Sequence, residues 1–138
     1  MQKKLVLAID TSLDFLKFVQ TVATSGGHHV HIANNAPDFM TLYGKVNPDT
    51  VILEVVMPEV DGIELIKWLC GQDVRCRVIA VTADYLYLAK AAQSLAGPYP
   101  HLTVQTAVKP LTADQLLALI EDGASSDAAA PGCGPKKE

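Results

Sequence analysis

Along the first 122 residues, short apolar runs alternate with stretches whose apolar positions recur at helical spacing. Leu5 to Ile9 is an unbroken apolar run ending at Asp10, and Val51 to Leu53 is a second, ending at Glu54. Runs without polar alternation read as strands covered on both faces. Val78 to Val81, ending at Thr82, reads the same way, as does Leu102 to Val108, ending at Lys109-Pro110 with more polar alternation. Val30 to Ala33 is a weaker fifth strand. Between the runs the period changes. Phe15, Leu16, Val19, Val22 and Ala23 share one helical face, as do Ile63, Ile66 and Cys70, then Leu88, Ala92 and Leu95, then Ala113, Leu116, Leu117 and Ile120. Phe39, Met40 and Tyr43 predict a short second helix stopped by Gly44 and Pro48.

Local signals agree with these boundaries. Gly26-Gly27 closes the first helix, Asp84 can cap the fourth, and Thr112 with Gln115 makes a capping box before the last. Strands alternating with helices imply right-handed crossovers, and so an α/β fold: a doubly wound five-stranded parallel sheet with five helices on its two faces. From Gly123 the chain turns to Gly, Ala, Ser and Pro with a final Lys-Lys-Glu, which cannot bury enough apolar surface to offset the entropy of ordering. The expectation is one domain over residues 1–122 and a flexible tail over 123–138.

Composition narrows the function classes. With 138 residues and 49% hydrophobic content, one sizeable core can form. Eleven basic against 15 acidic residues, spread along the chain for a net charge of −4, supply no basic stripe for a phosphate backbone, so direct nucleic-acid binding is not expected. Cys70, Cys76 and Cys133 form neither a C-x-x-C pair nor a dense even set and read as ordinary reduced thiols. The charged start, Met1 to Lys4, leads into five apolar residues, too short for a signal-peptide core or a membrane span; a cytoplasmic location is expected.

In a doubly wound sheet the chemistry gathers where strands end, near the point at which strand order reverses. Asp10, Glu54, Thr82 and Lys109 each directly follow or close an apolar strand, which would bring two carboxylates, a hydroxyl and an ammonium to one edge. Each alone is what any strand end needs for solvation. Elsewhere, His28, His29 and His31 cluster, but without further ligands they read as solvent-facing strand residues. Tyr85 to Leu88 could be a partner surface or ordinary packing, and Trp68 sits beside an apolar stripe and reads as packing.

This arrangement resembles the receiver domain of response regulators in two-component signalling, the CheY-like family with a flavodoxin-like (βα)5 fold. The resemblance covers about Lys3 to Asp122 and rests on Leu5 to Asp10, Pro48 to Glu54, Met57-Pro58, Asp61-Gly62, Val81-Thr82-Ala83 and Lys109-Pro110. It implies that the Glu54 position is where the family carries an aspartate that takes a phosphoryl group from a histidine kinase. It implies too that acidic residues after the first strand help to hold Mg2+, and that Thr82 and Lys109 contact phosphoryl oxygens.

Three departures qualify this. Thr11 stands where the family has a second acidic residue, which weakens the expected Mg2+ site of Asp10 and Glu54. Glu54 carries one methylene more than aspartate, a displacement of the size that can cost a positioned reaction about 10²-fold. The longer carboxylate could instead pair with Lys109 or Thr82 and imitate the modified state. Thr106 replaces an aromatic that many receivers carry three residues before the lysine, and the Gly97-Pro98-Tyr99-Pro100 loop looks longer than the family norm; Tyr99 reads as packed or exposed, a substitute switch being the alternative.

Three functions follow. The first is a phosphorylation-independent interaction module, a pseudo-receiver meeting a histidine kinase or downstream signalling protein. The second is a working receiver that catalyses its own phosphorylation and dephosphorylation with Mg2+. The third is a flavodoxin-like ligand-binding domain, against which the glycine-free Asp10-Thr11-Ser12-Leu13 loop argues. The resemblance allows a homodimer through the last helix, although Leu116, Leu117 and Ile120 are explained by the core.

Overall fold

A computed structural model of the chain describes residues 3–57, 62–83 and 86–122. The elements run β1 (Leu5–Ile9), α1 (Leu13–Ser25), β2 (His29–Ala33), α2 (Ala36–Val46), β3 (Thr50–Glu54), α3 (Gly62–Cys70), β4 (Cys76–Thr82), α4 (Leu86–Ala96), β5 (Leu102–Val108) and α5 (Ala113–Asp122). All strand pairs are parallel and the order is β2-β1-β3-β4-β5. This is the doubly wound (βα)5 architecture that the alternation predicts. Because side chains alternate across a strand, each apolar run supplies both faces. Leu7, Ile9, Val51, Leu53, Val78 and Ala80 pack against α2, α3 and α4. Val6, Ala8, Ile52, Ile79 and Val81 pack against α1 and α5.

The boundaries differ from expectation where one residue was read as a stop. Helix α2 runs through Gly44 to Val46 and ends at Asn47, whose φ of 50° places it in the left-handed region. Gly44 is exposed with open space around it, so it costs only its propensity of about 1 kcal/mol, which burial of Phe39 and Tyr43 offsets. Asn35 caps this helix by accepting the Asp38 N–H at 2.8 Å. Strand β4 starts at Cys76 rather than Val78, because Arg77 belongs to the ladder while its guanidinium reaches the carbonyls of Leu119 and Ile120 at 2.9 and 2.6 Å.

On α5 the buried stripe is Leu116, Leu119 and Ile120, with Ala113 exposed and Leu117 partly covered. On α4 the alanines 89, 92 and 96 are buried and Leu88 and Leu95 lie at the margin. The capping box at Thr112 and Gln115 is formed reciprocally, at 2.8 and 3.0 Å. Trp68 packs edge-on against Tyr43, with ring centroids 5.3 Å apart. Residues 1–2, Pro58 to Asp61, Asp84, Tyr85 and the whole 123–138 segment, Cys133 included, lie outside the described residues.

Candidate functional site

The order β2-β1-β3 makes the gap between the ends of β1 and β3 the point at which the chain changes direction across the sheet. Asp10 follows β1 there and Glu54 closes β3 beside it. Thr82 ends β4, and its carbonyl accepts the Lys109 N–H at 2.9 Å, which draws the start of the cis Lys109-Pro110 turn toward the same edge. The four strand-end residues therefore meet at one place.

Three of their side chains, those of Asp10, Glu54 and Lys109, make a bridged trio. Lys109 Nζ donates to Asp10 Oδ2 at 2.8 Å and lies 2.8 Å from Glu54 Oε1. Asp10 and Glu54 are buried, and the lysine side chain is 21% exposed. The second oxygen of each carboxylate is also engaged: Ser12 N–H donates to Asp10 Oδ1 at 2.8 Å, and Val56 N–H donates to Glu54 Oε2 at 3.2 Å. Thr82 is buried beside them at 1% exposure, whereas Thr11 is exposed.

Burial acts to lower the pKa of the lysine, but its hydrogen bonds to Asp10 and Glu54 and their two charges outweigh that and raise it above the ordinary lysine value. The ammonium is thus fixed in its charged form between two carboxylates. The trio carries one uncompensated negative charge.

Gly62 explains why the end of β3 and the start of α3 can come this close. Its N–H donates to the Val55 carbonyl at 3.1 Å, and a Cβ there would lie 2.5 Å from that oxygen and 2.7 Å from the Glu54 carbonyl. Only glycine leaves the backbone below Glu54 undisturbed.

Other sequence candidates do not join the site. The histidine cluster splits: His29 and His31 are exposed on β2, while His28 is buried, accepts the Lys4 N–H at 3.0 Å through Nδ1 and meets Glu121 Oε2 at 2.8 Å through Nε2. Thr106 is buried in β5, and Tyr99 is 41% exposed with its ring edge-on to His101. Sequence reasoning missed Phe15, whose ring centroid lies 4.2 Å from Lys109 Nζ. Nothing in its spacing distinguishes it from the core stripe of α1.

A divalent cation would have to share this pocket with the lysine. Among the described residues no group of three or more His, Cys, Asp or Glu is placed to hold a metal. Two carboxylates already bonded to an ammonium and to backbone N–H groups suit that ammonium better than a hard cation needing six oxygen ligands.

Comparison with known proteins agrees with the geometry. The family model described as response regulator receiver domain matches residues 6–121. The regulatory protein AtoC of Escherichia coli (strain K12) is 27% identical over 117 residues, covering 84% of this chain and 24% of AtoC. The transcriptional regulatory protein TrcR of Mycobacterium tuberculosis is 24% identical over 113 residues, covering 82% of this chain and 42% of TrcR. The chain thus spans a quarter to under half the length of these relatives. Among solved structures, the chemotaxis response regulator CheY4 of Vibrio cholerae superposes with a TM-score of 0.76 at 22% identity, covering 89% of this chain and all of that one. Full-length FixJ from B. japonicum gives 0.77 at 26% identity over 95% of this chain and 61% of FixJ. No helix among the described residues is long and apolar enough to cross a membrane.

Proposed function

The chain belongs to the response regulator receiver domain family of two-component signalling, and on that premise we propose that it is a receiver that works without being phosphorylated, presenting one fixed conformation to its partner. Family membership implies interaction with a histidine kinase or a downstream effector, and receivers generally bind Mg2+ at the acidic pocket. In this chain the pocket has taken a different course. The observation that carries the reading is the 2.8 Å contact between Glu54 Oε1 and Lys109 Nζ. Glutamate at this position meets the ammonium that would otherwise face a phosphoryl oxygen. The pair supplies from within the chain one of the contacts that modification would create, with one charge in place of nearly two.

Thr11 supports the same reading, because a hydroxyl replaces the carboxylate that would help neutralise a divalent ion, so Mg2+ affinity is weak. A working phosphoacceptor is the second reading, favoured by the convergence of Asp10, Thr82 and Lys109 at the sheet edge. The two separate on one experiment. The protein is incubated with Mg2+ and a small acyl-phosphate donor and its intact mass is measured. The proposal expects no added phosphoryl group, and a stable addition that disappears in Glu54→Ala overturns it.

A further inference from the structure

The Lys109 ammonium is held on three sides, and only two of them are anionic. Asp10 Oδ2 and Glu54 Oε1 each lie 2.8 Å from Nζ, and the face of Phe15 lies 4.2 Å away by its centroid. That distance is well within the range at which a ring quadrupole attracts a cation. The ring is placed by the same loop that forms the site. Asp10 Oδ1 accepts the Ser12 N–H at 2.8 Å, Ser12 Oγ caps α1 by accepting the Phe15 N–H at 3.2 Å, and Phe15 then leans on Phe18 with centroids 6.2 Å apart.

We propose that Phe15 is a positioning residue for Lys109: its ring face closes the third side of the ammonium, keeps it on Asp10 and Glu54, and so sets how readily a phosphoryl donor or divalent cation can open the site. This rests on the reading of the trio as a closed site. Removing a lysine from two carboxylates means turning its N–H groups into water, and a ring on the remaining side bars that path while attracting the charge. Phe15 is half-buried, so the ring also keeps water from the ammonium. An aliphatic residue would fill the space without the attraction.

The test reads the lysine directly. Exchange of the Lys109 ammonium protons with water is followed by nitrogen-detected NMR on protein labelled at lysine, for the wild type, Phe15→Leu, Phe15→Tyr and a protein carrying pentafluorophenylalanine at position 15. The fluorinated ring keeps the shape and reverses the quadrupole. Exchange is expected to rise roughly 3- to 30-fold in Phe15→Leu and in the fluorinated protein, the range of cation–π strengths converted to rates, and to stay unchanged in Phe15→Tyr. Unchanged exchange in both altered proteins overturns the proposal, and so does a rise confined to Phe15→Leu, which would make the ring a steric cover only. If Phe15→Leu fails to fold, the fluorinated protein decides alone. The intact-mass measurement on the same wild-type sample separates this from the reading beneath it: phosphoryl addition with ring-dependent exchange removes the closed-site function and leaves the role of Phe15 standing.

Discussion

Replacing Lys109 with methionine keeps an unbranched side chain of similar bulk and removes only the charge that joins Asp10 to Glu54. Each of their bonded oxygens lies 2.8 Å from Nζ, so the two oxygens are at most about twice that distance apart. Two like charges about 5.6 Å apart repel by about 3 kcal/mol at the effective dielectric of 20 that suits partly buried sites. Both carboxylates are buried, so little water is present to relieve the repulsion. Lys109→Met is therefore expected to lower the unfolding free energy by about 3 kcal/mol at pH 7, within the range for breaking a buried pair.

Urea unfolding of both proteins at pH 7 measures this, and adding Glu54→Gln to Lys109→Met should recover most of the loss. A variant within about 0.5 kcal/mol of the wild type at pH 7, the ordinary scatter of surface substitutions, refutes the bridged trio.

Arg77→Ala removes the guanidinium bonded to the Leu119 and Ile120 carbonyls, which should cost about 2 kcal/mol and speed amide exchange in the last turn of α5. Gly62→Ala places a methyl 2.5 Å from the Val55 carbonyl, so the backbone must shift, with a loss of about 2 kcal/mol in thermal or urea unfolding. At high pH, burial, with a smaller contribution from Cys76, pushes the Tyr43 hydroxyl up to about 12, and burial foremost pushes the Cys76 thiol from 9.0 to about 12. Raised values mean stability that is complete below the unfolded pKa and lost as pH rises through the folded one, so unfolding free energy should fall progressively from about pH 9 toward 12, and Cys76→Ala should flatten the early part of that fall.

The fold was legible because three of the strands, β1, β3 and β4, are mostly apolar on both faces, and a run such as Val51 to Leu53 has no helical reading of comparable length. β2 was the faint strand for a physical reason: it is an edge, and His29 and His31 face solvent, so its pattern is only half apolar. Helix ends misled where one residue carried the signal. Gly44 looked like a stop but lies on an exposed face, and Ala113 looked like core but precedes the turn at which α5 meets the sheet. At the site, the positions of Asp10, Glu54, Thr82 and Lys109 were readable because each closes or directly follows a strand. Phe15 over the ammonium, His28 against Glu121 and Arg77 on the end of α5 were not, since each depends on elements far apart in sequence.

The central claim is that this is a receiver site closed by two substitutions, glutamate at 54 and threonine at 11. It is tested most directly by intact-mass measurement of the wild type beside the Thr11→Asp, Glu54→Asp double variant, both given Mg2+ and the same acyl-phosphate donor. The prediction is that the wild type keeps its mass while the double variant gains that of one phosphoryl group. A wild type that gains it, or a folded double variant that does not, would contradict the claim.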